Sequence, residues 1–268
     1  MRIPFYKYQA TGNDFVIINQ LMVPYLKEPA AELVSQLCDR RFGIGADGLM
    51  LLEEDEDHDF KMVYYNSDGR LSSMCGNGGR CIVDLAHSLK LIGSECSFIA
   101  PDGPHMAYVR SDDMVELQMS KVDGIRQDDH GYFINTGSPH LVIFDEAWDR
   151  PSINDMASKL RYHEDYAPNG VNVNYIQRLS DSKLAVRTYE RGVEDETYSC
   201  GTGVTAAALV AHSYSDAFRT KNSIDILTRG GNLNVRFKGK MGLGYSEIYL
   251  TGPAKKVYEG FIDLGEIE

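Results

Sequence analysis

Two short stretches of the sequence decide the fold: Cys75-Gly76-Asn77-Gly78 and Cys200-Gly201-Thr202-Gly203. In each, a cysteine is followed directly by Gly-X-Gly, and the two cysteines are 125 residues apart. The same offset relates three further pairs: Thr11-Gly12 and Thr136-Gly137, Gly45 and Gly170, and Ala86-His87-Ser88 and Ala211-His212-Ser213. Several matches at one offset predict an internal repeat, with two copies of one module.

The repeat divides the chain into two domains. We expect the first copy over residues 1–120 and the second over residues 121–256, with residues 257–268 returning to the first. The pattern breaks at Lys121-Val122-Asp123-Gly124, which marks the join. A length of 268 residues, at roughly 150 residues per domain, is consistent with two domains.

Each copy begins with a strand-like run, Phe15–Ile18 or Leu141–Phe144, and continues with an amphipathic helix. The apolar faces of these helices are Ala30, Leu33, Val34, Leu37 and Cys38 in the first copy, and Ile153, Met156, Ala157 and Leu160 in the second. Gly43 is the expected C-cap of the first helix. Further strands, at Phe60–Tyr65 and Leu184–Tyr189, are expected to lead into the turn before each cysteine.

A second helix is predicted after each cysteine. Ile82, Leu85, Ala86 and Leu89 keep helical spacing, and we expect that helix to end at Gly93. The run from Val204 to Ala211 is apolar nearly all round, which is typical of a helix enclosed by sheet. We therefore predict an α/β (α+β) fold of two pseudo-symmetric domains, each a mixed β-sheet wrapped around a central helix.

Charge and hydropathy exclude several classes of partner. Lys and Arg number 27 against 39 Asp and Glu, a formal charge of −12, so the average surface repels a phosphate backbone and no nucleic-acid partner is expected. No run approaches the 18 or so apolar residues that span a bilayer, and Met1–Lys7 lacks the apolar stretch of a secretory signal. We expect no membrane partner and a cytoplasmic location.

Five cysteines, an odd number in a chain of this length, argue against a disulfide framework. No Cys-X-X-Cys pair and no Cys/His cluster at zinc-finger spacing occurs, so no metal site is predicted. The acidic run Glu53–Asp59 is interpreted as a solvated loop. Cys38, Cys81 and Cys96 are expected to pack as small buried side chains.

Cys75 and Cys200 are different, because each stands where a helix is predicted to begin. The positive end of the helix dipole lowers the pKa of a thiol at that position. Backbone N–H groups of the first turn favour an anion such as a carboxylate. Two such half-sites facing each other suit inversion of a stereocentre beside a carboxylate, where one thiolate removes the α-proton and the opposite thiol supplies another.

These residues resemble the diaminopimelate epimerase family over nearly the whole chain. The matching stretches are Gly12-Asn13-Asp14-Phe15, Asn66-Ser67-Asp68-Gly69, Met74–Cys81, Gly137-Ser138-Pro139-His140, Tyr189-Glu190-Arg191-Gly192, Ser199–Gly203 and Tyr258–Ile262. One departure is Ser138, which stands where many members have asparagine. The resemblance implies an isomerase without cofactors that interconverts LL- and meso-diaminopimelate in lysine and peptidoglycan precursor biosynthesis.

The resemblance also implies roles for individual residues. Cys75 and Cys200 would be the acid/base pair, assisted by His140 and Glu190. The reacting carboxylate would be held by backbone N–H groups of Gly76, Asn77, Gly201 and Thr202. The remaining substrate contacts would come from Asn13, Asn66, Asn172, Glu190 and Arg191. The partner is thus a small molecule; the oligomeric state is open, and a homodimer is one expectation.

Two alternatives compete with this interpretation. A racemase similar to proline racemase would also use two cysteines on a doubled fold, but that family has His where this chain has Asn77. A cysteine hydrolase could pair one thiol with His140, although acyl transfer needs only one thiol and leaves the second unexplained. No Schiff-base lysine with a phosphate cradle can be identified, which argues against a pyridoxal-phosphate racemase.

Overall fold

The computed structural model describes residues 2–72, 74–110, 114–146 and 148–266. The first elements along the chain are β1 (Arg2–Ala10), β2 (Asn13–Asn19), α1 (Ala31–Cys38), β3 (Gly48–Glu53), β4 (Phe60–Asn66), α2 (Gly76–Ser88), β5 (Glu95–Ala100), β6 (Gly103–Val109) and β7 (Met114–Met119). The next are β8 (Ile125–Gln127), β9 (Tyr132–Asn135), β10 (Pro139–Phe144), α3 (Asn154–Arg161), a 3₁₀ turn (Glu164–Tyr166), β11 (Asn172–Arg178), β12 (Lys183–Glu190) and β13 (Asp195–Thr197). The last are α4 (Gly201–Tyr214), β14 (Ser223–Thr228), β15 (Gly231–Lys240), β16 (Gly244–Pro253), β17 (Lys255–Asp263) and a 3₁₀ turn (Leu264–Glu266).

The chain divides into two compact units. The first holds the chain up to Leu117 and again from Pro253 onward, and the second is Gln118–Gly252. The sequence predicts the join at residue 120 and the return at residue 257. The return is made by β17, which pairs antiparallel with β1 from Arg2 opposite Asp263 to Gln9 opposite Lys255.

Both units use the same order of strand pairing. In the first, β2–β3 is parallel, β3–β4 antiparallel, β4–β5 parallel and β5–β6 antiparallel. In the second, β10–β11 is parallel, β11–β12 antiparallel, β12–β14 parallel and β14–β15 antiparallel. The predicted fold class, a mixed sheet repeated in two similar domains, is confirmed.

A helix lies within the strands of each unit. In α4, Gly201 and every residue from Gly203 to Ser213 are buried, and the helix contacts β9, β10, β11, β12, β14 and β15. The expectation of a helix enclosed by sheet is therefore confirmed for α4. Its counterpart α2 contacts β1, β2, β3, β6 and β17. No helix in the described ranges has the length and apolar character needed to cross a membrane.

Two predicted helix ends are wrong. Helix α2 ends at Ser88 and not at Gly93, because Lys90 takes the left-handed conformation (φ 61°) and closes the helix. The N–H of Lys90 bonds His87 O at 2.9 Å and that of Leu91 bonds Ala86 O at 3.0 Å, the Schellman pattern that glycine usually provides.

Helix α1 ends at Cys38, so Gly43 is not its C-cap. The reason for a glycine is space: a Cβ at Gly43 would lie 2.0 Å from the backbone oxygen of Gln36. In α3, the predicted apolar face is also wrong at Met156, which is 41% exposed, whereas Ile153 and Ala157 are buried.

Candidate active site

Cys75 and Cys200 are the N-cap residues of α2 and α4. Their backbone angles are nearly the same, φ −111° and ψ 122° for Cys75, and φ −118° and ψ 115° for Cys200. Each carbonyl accepts the first bond of its helix, from Gly79 N–H at 2.7 Å and from Val204 N–H at 2.9 Å. Both sulfurs are thus attached at the positive end of a helix, where first-turn N–H groups have no acceptor within the helix.

The other three cysteines are buried in the core, which confirms the expectation for them. Burial raises the pKa of the Cys38 and Cys96 thiols to about 12 and the pKa of the Cys81 thiol further still. These thiols are protonated at neutral pH. Such high pKa values make them poor acid/base groups near neutral pH.

In the first unit, Cys75 belongs to a small group of amides. Asn13 Nδ2 donates to Asp47 Oδ2 at 2.6 Å, so its Oδ1 points away from the carboxylate. That oxygen accepts from Asn77 Nδ2 at 3.2 Å and lies 3.6 Å from Cys75 Sγ. The structure therefore brings three predicted site residues, Asn13, Cys75 and Asn77, together.

The charges behind this group are paired. Asp14 accepts from Lys7 Nζ at 2.6 Å and from Nη1 and Nη2 of Arg40. Arg40 also pairs with Asp47 at 2.7 Å. Burial alone would raise the pKa of the Asp14 carboxyl, but the two cations outweigh it and hold that pKa at about 2. Asp14 is therefore ionised at neutral pH, and its ion pairs fix the end of β2 that carries Asn13.

Asn66 is not brought into this group. It ends β4, is exposed, and starts a turn in which Gly69 N–H bonds its carbonyl at 2.9 Å. Within the described ranges, no hydrogen bond joins its side chain to Asn13 or Asn77. Its predicted role thus depends on substrate alone.

In the second unit, Cys200 is connected to a buried histidine. Cys200 Sγ lies 3.4 Å from Thr202 Oγ1, and that hydroxyl lies 2.9 Å from His140 Nε2. On the other side of the ring, Asn174 Nδ2 lies 3.0 Å from His140 Nδ1 and also donates to Leu141 O at 3.2 Å. The structure thus brings His140, Thr202 and Cys200 into one line of contacts.

This arrangement sets the state of His140. Complete burial, together with the nearby charge of Arg191, lowers the pKa of the imidazole to about 3, so the ring is neutral at pH 7. Because the Asn174 amide donates to Nδ1, the ring proton must be on Nε2, which donates to Thr202 Oγ1. The Thr202 hydroxyl can then donate its own proton to the sulfur of Cys200.

Asn172 and Arg191 lie side by side at the ends of two paired strands. Asn172 Oδ1 accepts from the backbone N–H of Arg191 at 2.8 Å, and its Nδ2 donates to Ser138 Oγ at 2.9 Å and to Pro139 O at 3.0 Å. The Arg191 side chain is exposed, and its guanidinium donates to Asn169 O at 3.5 Å. Within the described ranges no carboxylate pairs with Arg191, which leaves its charge available to an anion.

Glu190 precedes Arg191 at the end of β12 and is half-buried. Its Oε1 accepts from Thr197 Oγ1 at 2.6 Å, on the neighbouring strand β13. The carboxylate is therefore held in one orientation by a neighbour within its own unit.

Several residues that support the site were not predicted from the sequence. Asn174, Thr188 and Asp47 orient His140 or Asn13, and Arg80 contacts Asn77. Asn174 could have been found, because it is two residues after Asn172 in a strand and so lies on the same face. The long-range pair of Asn13 with Asp47 leaves no mark in the local pattern.

One group could hold a metal ion in the described part of the chain: His130, His163 and Asp165, whose ligand atoms all lie within 4.8 Å of one another. Its members already pair, since Asp165 Oδ2 lies 3.2 Å from His130 Nε2 and 3.4 Å from His163 Nδ1. No local motif predicts this group, because His130 is far from His163 and Asp165 in the sequence. It shares no residue with the two half-sites.

The sequence matches a known protein family over most of its length. The family model described as "Diaminopimelate epimerase" matches residues 5–124 and 132–257. Diaminopimelate epimerase of Flavobacterium psychrophilum is 46% identical, covering 95% of this chain and 98% of the relative. That of Aquifex aeolicus is 37% identical and covers 96% of each chain.

Among solved structures, a phenazine biosynthesis protein of the PhzF family from Bacillus anthracis matches 98% of this chain and 99% of its own, with a TM-score of 0.77 and 11% identity. A hydroxyproline epimerase from Agrobacterium vitis matches 97% of this chain and 92% of its own, with a TM-score of 0.65 and 14% identity. At such identities these structures show a shared fold alone. The sequence matches go further, and by them the chain is an isomerase that belongs to the diaminopimelate epimerase family.

Proposed function

We propose that this chain interconverts LL- and meso-diaminopimelate with Cys75 and Cys200 as its two acid/base groups and without an organic cofactor. The observation that carries the proposal is that both cysteines are N-caps with the same backbone geometry. A packing role would not require that match. The reaction belongs to lysine and peptidoglycan precursor biosynthesis.

The chemistry follows from the two thiols. One sulfur, as thiolate, takes the α-proton, and the other, as thiol, gives its proton to the opposite face of the same carbon. After the reaction the two sulfurs still carry one proton and one negative charge between them, but the thiolate is now the other sulfur. Charge that develops on the α-carboxylate is stabilised by the N–H groups of Gly76, Asn77, Gly201 and Thr202 at the two helix N-termini.

Selectivity would come from the groups at the strand ends. Arg191 presents a guanidinium with no carboxylate partner among the described residues, which suits the distal carboxylate of the substrate. Asn172 is fixed against the backbone of Arg191. Asn13, Asn66 and Glu190 complete the proposed contacts to the amino and carboxylate groups.

His140 would assist from within the protein. Its neutral ring donates to Thr202, whose hydroxyl faces Cys200, so His140 acts through Thr202 as a positioning residue. Glu190, oriented by Thr197, is the proposed second assistant.

The alternatives are less well supported. A probable proline racemase from Agrobacterium radiobacter matches with a TM-score of 0.70 but 14% identity, which concerns the fold alone. A cysteine hydrolase needs a histidine that accepts a proton from the thiol, but the pKa of His140 is lowered to about 3 by burial. A cytoplasmic location and a homodimer are also proposals, supported by the family resemblance only; sedimentation of the purified protein would measure the second.

The test is proton exchange and inversion at the α-carbon in heavy water. We expect the chain to convert either isomer into the other with uptake of one deuterium at the inverted carbon. Cys75→Ala and Cys200→Ala should abolish conversion, whereas the matched control Cys96→Ala should keep it. Near-normal conversion by either of the first two variants would disprove the two-thiol scheme.

A further inference from the structure

Arg80 is a fully buried cation next to the first half-site. It lies one turn into α2 with no exposed surface. Its guanidinium donates to Gly76 O at 3.1 Å, to Asn77 Oδ1 at 2.9 Å and to Thr11 Oγ1 at 3.4 Å, and Nε has no partner. All of these acceptors are neutral. Within the described ranges no carboxylate pairs with Arg80.

A buried charge without a counter-charge is costly, so buried cations are normally paired. Arg80 remains charged at neutral pH: burial lowers the pKa of its guanidinium only to about 10, against the opposing attraction of Cys81 and Cys75. Cys81 cannot be the anion, because burial raises the pKa of its thiol far above neutrality. Of these two thiols, Cys75 is the one that can become an anion beside Arg80, because it stands at a helix N-terminus.

The second unit has a different residue at the matching position. An offset of 125 residues places Thr205 opposite Arg80 in the repeat. Thr205 Oγ1 donates to Gly201 O at 2.9 Å, as Arg80 donates to Gly76 O, so both side chains satisfy the carbonyl of the first residue of their helix. The two half-sites thus share this hydrogen bond, but its donor is a cation, Arg80, in the first and a neutral hydroxyl, that of Thr205, in the second.

We propose that Arg80 is a positioning residue that holds Cys75 as the thiolate of the substrate-free enzyme, with Cys200 as the thiol. The inference rests on the two-thiol function proposed above and says which thiol starts as the base. From this state Cys75 takes the α-proton and Cys200 donates its own. Product release leaves the reverse state, which returns by losing the Cys75 proton to solvent and regaining one on Cys200.

Two contacts favour the opposite ionisation states, a thiol at Cys75 and a thiolate at Cys200. Asn13 Oδ1, 3.6 Å from Cys75 Sγ, accepts from a thiol and not from a thiolate, and the Thr202 hydroxyl can donate to a Cys200 thiolate. The first is long and involves a weak donor, and the second comes from a neutral group. A unit charge in a buried, low-dielectric setting acts more strongly and over a longer range.

The other charged groups near the thiols do not reverse this difference. Asp47 and Asp14, behind Asn13, are neutralised by Arg40 and Lys7. Near Cys200, the His140 ring is neutral. The charge of Arg191 reaches His140, but Arg191 is exposed, so solvent weakens its effect more than that of the fully buried Arg80.

The measurement is the pH dependence of alkylation at each thiol. The full-length, substrate-free protein is treated with iodoacetamide from pH 5 to 10, and the modified Cys75 and Cys200 peptides are quantified by mass spectrometry. The midpoints of the two curves are compared, rather than the absolute rates, because the two sulfurs differ in exposure. We expect the Cys75 midpoint to lie below that of Cys200 by about one pH unit or more.

Variants separate charge from packing. Arg80→Met should raise the Cys75 midpoint and slow its alkylation at pH 7 by about tenfold, and Arg80→Lys should restore much of the shift because it restores the charge. Thr205→Val, the matched change in α4, should leave the Cys75 midpoint unchanged. Circular dichroism shows whether each variant is folded.

A Cys75 midpoint equal to or above that of Cys200 in the unmodified protein overturns the proposal, even if no Arg80 variant folds. Equal effects of Arg80→Lys and Arg80→Met would also overturn it, since that result assigns Arg80 a packing role. The readout needs no substrate. A protein with ordered thiol midpoints but no epimerisation would therefore disprove the proposed function and its proton-transfer steps, while the ionisation state assigned to Cys75 would stand.

Discussion

His140 donates to Thr202 across 2.9 Å, and Thr202 Oγ1 in turn lies 3.4 Å from the sulfur of Cys200. The polarity of the contact is set one step further in, where the Asn174 amide donates to the other ring nitrogen. A neutral histidine therefore orients a hydroxyl toward Cys200. The contacts that reach the Cys200 thiol by this route thus come from neutral groups.

Removing that hydroxyl should slow the reaction. Thr202→Val keeps the size of the side chain but offers Cys200 no donor, so we expect kcat to fall by about 10²-fold. Thr202→Ser keeps the hydroxyl and should stay close to wild type. Steady-state epimerisation kinetics measure both, and an unchanged kcat in Thr202→Val contradicts the role of this contact.

His140 should make the protein sensitive to acid. Because burial lowers its folded pKa to about 3, below the ordinary value of 6.5, the unfolded chain binds the proton more readily. Its contribution to the free energy of unfolding is complete above pH 6.5 and is lost as pH falls toward 3, by at most about 1.4 kcal/mol per pH unit.

Urea unfolding at pH 7, 5 and 4 tests this slope. His212, whose pKa is also lowered by burial, adds to the wild-type slope, so the comparison is with His140→Gln. That variant should be less stable at pH 7 but should lose less stability on acidification. Parallel pH profiles for the two proteins would contradict the assignment.

Gly203 should not tolerate a side chain. A Cβ there would lie 2.5 Å from Asn174 Oδ1 and 3.2 Å from both Cys200 Cβ and Thr188 Oγ1, and so would displace the amide that orients His140. We expect Gly203→Ala to cost about 1–3 kcal/mol of stability and to reduce activity. Gly124→Ala, with no atom within 4 Å of the added Cβ, is the control for thermal unfolding and should change little.

Arg191 should decide between substrates. If it pairs with a distal carboxylate, Arg191→Gln should lower kcat/KM for diaminopimelate by about 10²-fold or more, because a charge-assisted bidentate contact is lost. The wild-type enzyme should also ignore lysine, which lacks that carboxylate. Comparable turnover of lysine and diaminopimelate by the wild type would refute this role.

The repeat, the fold class and the position of Cys75 and Cys200 at helix N-termini could be predicted because each leaves a local mark. Cys-Gly-X-Gly appears twice at one offset, and the apolar run of α4 indicates burial on all sides. The end of α2 could not be predicted, because Lys90 adopts a conformation that sequence rules assign to glycine. Met156 was misplaced because periodicity gives a face but not how much of it is covered.

The supporting contacts of the site were harder to predict for a related reason. Asn13 meets Asp47 and His140 meets Asn174 across strand pairs that are 34 residues apart in the chain. Polar pairs of this kind depend on register between strands, which single-residue patterns do not carry. Arg80 is present in the Cys75 motif, but only the packing shows that no carboxylate of the described residues pairs with it.

The pairing of β1 with β17 has a consequence for how the molecule is made. The second unit is one continuous segment, Gln118–Gly252, whereas the first needs residues from both ends of the chain. During synthesis, β1 can pair with β2 early, but its other edge has no partner until β17 has emerged. The unit that is encoded first is thus completed last. We expect chaperone binding during synthesis, and any slow phase of refolding, to involve the N-terminal strands and not the inserted unit.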